Sequence, residues 1–348
     1  MTELMPSPAP LRSRYTTVED LAQTAGGDSP SLSLSDLEAS TGLDARRIQT
    51  LCHAIGLPPV TDPDAITFTA RDAQELSHAA AAVDSGVIDA QTQLNLFQAA
   101  AATAERLAWS QIETIMEFAA RTGAPDGAPA QLAAIDRVAG LADQLEAQMT
   151  YVWRHQLARA VRRIGGRAVA AQETPAGSAQ DTARAVGFAD LVDYTAVTGA
   201  FGRAELDALV QEFTAVTRDI VAQGGGRIVK TLGDAVMFVT EDAAHGANIA
   251  LGLAEALGAT GHTPPARVAL AFGPVLGRYG DVFGTTVNRA SRLADIAEPT
   301  QVLIDEPTAR QLQGTNTVAV TPRPAVELAG LGPVRPYRLD RAAQRVAA

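Results

Sequence analysis

The sequence predicts an α+β protein in two parts, an all-helical domain over residues 1–165 followed, after a linker at 166–182, by a ferredoxin-like βαββαβ domain over 183–348. Three observations carry this expectation. At 348 residues the chain is long for one domain and comfortable for two hydrophobic cores. Up to Gly165 the apolar residues recur at three- and four-residue spacing, the period of a helix face. Beyond an aperiodic Ala-, Gly-, Ser- and Gln-rich stretch, the pattern changes to strand, helix, hairpin, helix, strand.

In the N-terminal part the first dozen residues, rich in Pro and Ser, read as a tail. Ser35-Asp-Leu-Glu38 has the spacing of a capping box before a short helix, and Asp44 caps a second helix through Ile55. Thr69-Ala-Arg-Asp72 opens a third. Asp89 opens a long fourth helix, which the stretch from Gly123 to Pro129 ends. One last long helix carries Leu132, Ile135, Val138, Leu145, Val152 and Leu157 before an arginine-rich end that includes Arg154, Arg159, Arg162, Arg163 and Arg167. These arginines suit a helix C-terminus and a solvated face.

In the C-terminal part, Val186 to Asp190 reads as a strand and Arg203 to Gln223 as an amphipathic helix, ended by Gly224-Gly-Gly226. Two strands flank Leu232-Gly-Asp234 as a hairpin, Ala243 to Gly258 is a helix, and Arg267 to Phe272 is a strand. Strands near Val275 and Val302, with helices near Val287–Ala297 and Pro307–Leu312, extend this core.

Composition removes several function classes. No stretch is apolar and long enough to span a bilayer, and the N-terminus lacks the apolar core of a secretory signal, so the expectation is a soluble, cytoplasmic protein without a transmembrane segment. The single cysteine, Cys52, has no partner for a disulfide or a thiolate metal site. A net charge of −11 argues against nucleic acid as a partner. A nucleotide remains compatible when metal ions supply the positive charge.

Three segments carry chemistry. In a βαββαβ sheet the first strand is central, so its end lies beside the hairpin turn, and Asp190 and Asp234 fall at those two points. Two adjacent carboxylates point to a shared proton or a divalent metal. The loop after Asp190, which opens into a helix, can offer backbone N–H groups to phosphates, which favours Mg²⁺ held by carboxylates and substrate phosphates. Lys230 is the only lysine in the chain, four residues before Asp234, and its ammonium is a compact donor that fits beside one ring nitrogen of a purine. Asn288 and Arg292 stand one helical turn apart in Val287-Asn-Arg-Ala-Ser-Arg292, an amide and a permanent cation on one face that suit a ribose and a phosphate.

Together these segments resemble the catalytic domain of the class III nucleotidyl cyclases, specifically adenylyl cyclases of soluble actinobacterial type, over roughly Ala185 to Leu312. The resemblance implies that Asp190 and Asp234 bind two divalent metal ions, Mg²⁺ or Mn²⁺, that Lys230 and Asp281 read adenine, that Asn288 orients the ribose and that Arg292 stabilises the transition state. It implies an ATP substrate and a head-to-tail homodimer whose sites take the metal carboxylates from one subunit and the other residues from its partner. The stretch between Gly273-Pro-Val and Asp281 is shorter than in most of the family, which bears on dimer geometry.

The helical half resembles the regulatory domains of mycobacterial pH-responsive adenylyl cyclases, which implies autoinhibition and regulation by pH or by a fatty acid. His53, His78 and His155 lie in this half. The competing readings are a helix-turn-helix over Ser35 to Ile55 with a weak nucleotide-sensing domain, a guanylate-using cyclase, and a diguanylate cyclase, against which the Asn288 and Arg292 pair speaks.

Overall fold

The computed structural model describes residues 22–342 other than 24, 123–127, 173–182, 195, 197, 198, 200 and 260–262, with backbone alone at 128–130, 166–172 and 203. The chain divides into two compact units, Met1–Thr174 and Pro175–Ala348. Among the described residues no helix is long and apolar enough to cross a membrane.

The first unit is helical. Helix α1 (Leu34–Thr41) starts one turn's fraction earlier than its expected box: Ser33 and Asp36 form the reciprocal cap. That choice puts Leu34 and Leu37, both fully buried, inside the helix on one face. Glu38 is left to accept a hydrogen bond from Ala45 N at the next helix start. Helices α2 (Ala45–Ala54), capped by Asp44, and α3 (Ala70–Asp84), boxed by Thr69 and Asp72, complete a small core of Leu34, Leu37, Ile48, Leu51, Phe68 and Leu76. Cys52 is buried at its edge, where burial, with the Asp72 charge, pushes its thiol up to about 11.

Helix α4 (Ala90–Arg121) starts at its Asp89 cap as the sequence predicts. The single last helix does not form. It is two, α5 (Ala128–Gly140) and α6 (Ala142–Gln172), broken at Leu141 just after Gly140, where the backbone is least committed to the helix. The expected linker is shorter at its start, since α6 runs through the Gly165-Gly166 pair to Gln172; residues 173–182 lie outside the described residues. Along α6 the apolar Tyr151, Trp153, Val161 and Ile164 are all more than half exposed.

The second unit contains the βαββαβ order expected, as β1 (Ala183–Leu191), α7 (Arg203–Gln223), β2 (Arg227–Leu232), β3 (Ala235–Thr240), α8 (Ala243–Ala256) and β4 (Ala266–Pro274). A separate hairpin follows, β5 (Leu276–Arg278) and β6 (Asp281–Phe283), then α9 (Thr285–Ile296), β7 (Val302–Ile304) and α10 (Glu306–Gln311). The chain ends in β8 (Val318–Pro322), a small hairpin β9 (Val326–Leu328) and β10 (Gly332–Val334), and β11 (Tyr337–Arg341). The main sheet runs β2-β3-β1-β4-β7-β11-β8, with β1 central and antiparallel to both β3 and β4.

Strand alternation gives the sheet two cores. Val236, Phe238, Val268, Leu270 and Ile304 face α7 and α8. Met237, Val239, Ala269, Ala271 and Leu303 face α9. On β1 the even positions Val186 and Phe188 belong to the α9 face, so Asp190 points there too. Gly187 faces the other way, directly opposite Phe238, and an added Cβ would lie 2.1–2.7 Å from ring atoms of that fully buried side chain. Gly187→Ala is therefore expected to lower stability by about 2–3 kcal/mol, read as a shifted denaturation midpoint. A midpoint equal to the parent's would show that the Phe238 ring is free to move.

Candidate active site

The end of β1 and the β2–β3 turn meet as the topology requires. Asp190 pairs in register with Ala235, and Leu191 N donates to the Asp234 carbonyl at 3.1 Å, so the two aspartates are neighbours. Gly233, with φ 66°, makes the two-residue turn that presents Asp234. Burial, reinforced by the charge of Asp234, pushes the Asp190 carboxyl above its ordinary value, against the opposing effect of Arg267. The Asp234 charge is the part of this shift that a cation bound beside both carboxylates would relieve. Two hard oxygen donors, one of them also paired with Arg267, fit a divalent metal completed by phosphates. No group of three or more metal-ligating side chains occurs among the described residues.

Arg267, which the sequence reading did not single out, stands directly across from Asp190 on β4 and donates to its Oδ2 at 2.9 Å. Its Nε is buried and has no hydrogen-bond partner among the described residues. Only the β1–β4 register reveals it. Parts of the loop after Asp190, including Thr195, lie outside the described residues.

Lys230 and Asp281 come together from separate elements, Nζ to Oδ2 at 2.7 Å, each about a third exposed or less. The second carboxylate oxygen of Asp281 accepts from Val282 N at 2.7 Å. Burial pushes Asp281 up, but the Lys230 ammonium, the Val282 amide and the charge of Arg227 outweigh it and hold the carboxyl below the usual range. Lys230 pairs in register with Met237, so this pair also lies on the α9 face.

Asn288 and Arg292 project from α9. The underside of the helix buries Ala290, Leu293 and Ala294, and Thr286 Oγ1 donates to the Pro274 carbonyl near its start. Asn288 is exposed on the opposite side, and Arg292 is exposed too, donating to Asp295 at 3.1 Å. Among the described residues no ion pair joins Arg292 to Asp190 or Asp234. Within one chain the structure thus assembles the carboxylate pair with Arg267, and the Lys230–Asp281 pair, and leaves Asn288 and Arg292 facing outward. The β5–β6 hairpin before α9 is short, with a two-residue tip at Tyr279 and Gly280.

The family model described as the adenylate and guanylate cyclase catalytic domain matches residues 178–341. An adenylate cyclase of Glutamicibacter nicotianae is 33% identical over 332 residues, covering 93% of this chain and 82% of that protein. An adenylate cyclase of Streptomyces coelicolor is 36% identical over 273 residues, covering 78% and 69%. The pH-sensitive adenylate cyclase of Mycobacterium tuberculosis is 30% identical over 333 residues, covering 92% and 81%. With the sheet order, the position of the aspartate pair and these likenesses in agreement, the chain belongs to the class III nucleotidyl cyclase family.

Proposed function

We propose that the protein is an adenylyl cyclase, converting ATP to 3′,5′-cyclic AMP and pyrophosphate at sites shared by two subunits of a homodimer. The observation that carries the choice of ATP is the Lys230–Asp281 pair. Asp281, ionised at neutral pH, only accepts hydrogen bonds and suits the exocyclic amine of adenine; Lys230 only donates and suits a ring nitrogen. Guanine presents a carbonyl where adenine has its amine, and would set acceptor against acceptor.

The bond formed joins the ribose 3′-oxygen to the α-phosphorus, and the bond broken releases pyrophosphate. Asp190 and Asp234 would hold two divalent cations, Mg²⁺ or Mn²⁺, which when bound supply acidification of the 3′-hydroxyl and neutralisation of phosphate charge. Asn288 orients the ribose, so that an intramolecular nucleophile meets phosphorus in line. Arg292 offers positive charge to the α-phosphoryl oxygens as it develops, and must leave Asp295 to do so. The outward aim of Asn288 and Arg292 supports a site completed across two subunits, and the exposed apolar residues of α6 support a partner along the helical unit.

We read the helical unit as regulatory, because the relatives match across both units and one of them is pH-sensitive by name. The test is product identification after incubating the full chain with ATP or GTP and metal at several pH values. Cyclic AMP should form with kcat/KM for ATP at least about 10-fold above that for GTP. Equal turnover of the two nucleotides would remove the base-reading argument, and a profile that merely follows substrate and metal ionisation would remove pH regulation.

A further inference from the structure

The β5–β6 hairpin that carries Asp281 is not hydrogen-bonded into the main sheet; it forms a two-stranded sheet of its own. Its tip is a two-residue turn with Tyr279 at φ 53° and Gly280 at φ 78°, and Leu276, Tyr279 and Phe283 on it are about half exposed or more. Val282 alone of β6 is buried. Holding such a hairpin in one place takes contacts from elsewhere in the chain, and two polar ones come from β2. Lys230 Nζ meets Asp281 Oδ2, and Arg227 Nη1 donates to the Gly280 carbonyl at 2.7 Å.

Residues three apart on a regular strand point to opposite faces, so Arg227 and Lys230 should not reach the same target. They do because β2 is bulged. Arg227 pairs with Val239, Ile228 with Phe238 and Lys230 with Met237, which leaves Val229 as an extra residue. Val239 and Met237 share the α9 face, and the bulge therefore turns Arg227 and Lys230 onto that same face. The side chain of Val229 packs into the core below them.

We infer that Arg227 is a positioning residue for base selection, which together with the Val229 bulge pins the hairpin tip and so sets where Asp281 stands relative to Lys230. The role assigned to Arg227 is exerted through the Gly280 carbonyl and not by contact with the base. The inference rests on the reading of Lys230 and Asp281 as the base-recognising pair. Without the pin, the hairpin is free to shift, and a carboxylate displaced by an ångström no longer distinguishes an amine from a carbonyl.

The test compares Arg227→Met and Arg227→Lys with the parent, using initial rates on ATP and GTP, calorimetric binding of 3′-deoxy-ATP, which lacks the nucleophile, and thermal midpoints. Arg227 is exposed, so the fold should survive its loss. For Arg227→Met the expected result is a rise in KM for ATP and in the dissociation constant for 3′-deoxy-ATP of about 5- to 10-fold, the scale of one partly exposed charge-assisted hydrogen bond, with kcat within about 2-fold. The ATP-to-GTP ratio of kcat/KM should fall by at least about 3-fold, and Arg227→Lys, which can still donate to the carbonyl, should recover part of it. Asp281→Ala serves as the reference. If it collapses the ratio while Arg227→Met leaves both the ratio and 3′-deoxy-ATP affinity at parental values, the positioning role is wrong and the base-reading pair stands. If neither variant moves the ratio, the base-reading assignment fails and this inference fails with it.

Discussion

Asp190→Asn should lower cyclic AMP formation by about 10³-fold while leaving the fold intact. Asparagine has almost the same shape, and its carbonyl oxygen can still accept from Arg267, whose guanidinium is the cross-strand partner of Asp190. What it loses is the charge, and with it an anionic donor beside Asp234. Arg292→Ala should be comparably damaging, by about 10²- to 10³-fold, because in the proposed reaction it removes a cation that meets developing phosphoryl charge. Arg292 is half exposed and, among the described residues, is paired with Asp295 three residues on, so its loss should cost little stability. Separation of labelled product by chromatography and thermal midpoints check both statements. A fall of less than about 10-fold for either variant would take that residue out of the chemistry.

The largest effect on stability is expected from Asp305→Ala. Asp305 is fully buried at the end of β7 and accepts hydrogen bonds from Phe272 N at 3.3 Å, Thr308 N at 2.9 Å, the Thr308 hydroxyl and Arg289 Nη1 at 2.9 Å. One carboxylate thus caps α10, satisfies a β4 amide and tethers α9. Alanine removes the cap, strands the Phe272 amide and leaves Arg289 without its anion, though Arg289 is partly exposed and water relieves some of that loss. The expected cost is about 3 kcal/mol, or a drop in thermal midpoint of about 6–12 °C for a unit of this size. Asp305→Asn keeps a good cap and an acceptor, and should restore more than half of the loss. Since Arg289 sits on α9 between Asn288 and Arg292, activity should fall in parallel. A midpoint within about 2 °C of the parent for Asp305→Ala would show that the buried network relaxes without cost.

Much of the architecture was legible because its signals are local. Helix α7 was readable to the residue, Arg203–Gln223, since an apolar stripe runs up to a triple glycine. The meeting of Asp190 and Asp234 was readable because βαββαβ order alone makes β1 the neighbour of the hairpin. Other features depend on relations the residue order does not display. The box at Ser33–Asp36 competes with the equally spaced Ser35 and Glu38, and burial of Leu34 decides between them. The break at Leu141 interrupts an apolar period that continues on both sides of it. Strands β8 to β11 are short, two of them with prolines, and gain their identity from pairing across the sheet. Arg267 and Arg227 are visible only through strand register, the first opposite Asp190 and the second through a bulge that no composition announces.

In the proposed dimer each site draws Asp190 from one subunit and Arg292 from the other, and mixing the two inactive variants distinguishes this from a site built within one chain. Asp190→Asn and Arg292→Ala, purified separately and allowed to exchange subunits, should form mixed dimers in which both lesions fall in one site and the other site is whole. With random pairing about half the dimers are mixed and each has one working site, so roughly a quarter of parental cyclic AMP formation should return. Mixed dimers confirmed by capture through a tag on one variant, yet making no more cyclic AMP than the separate variants, would contradict a site shared between subunits.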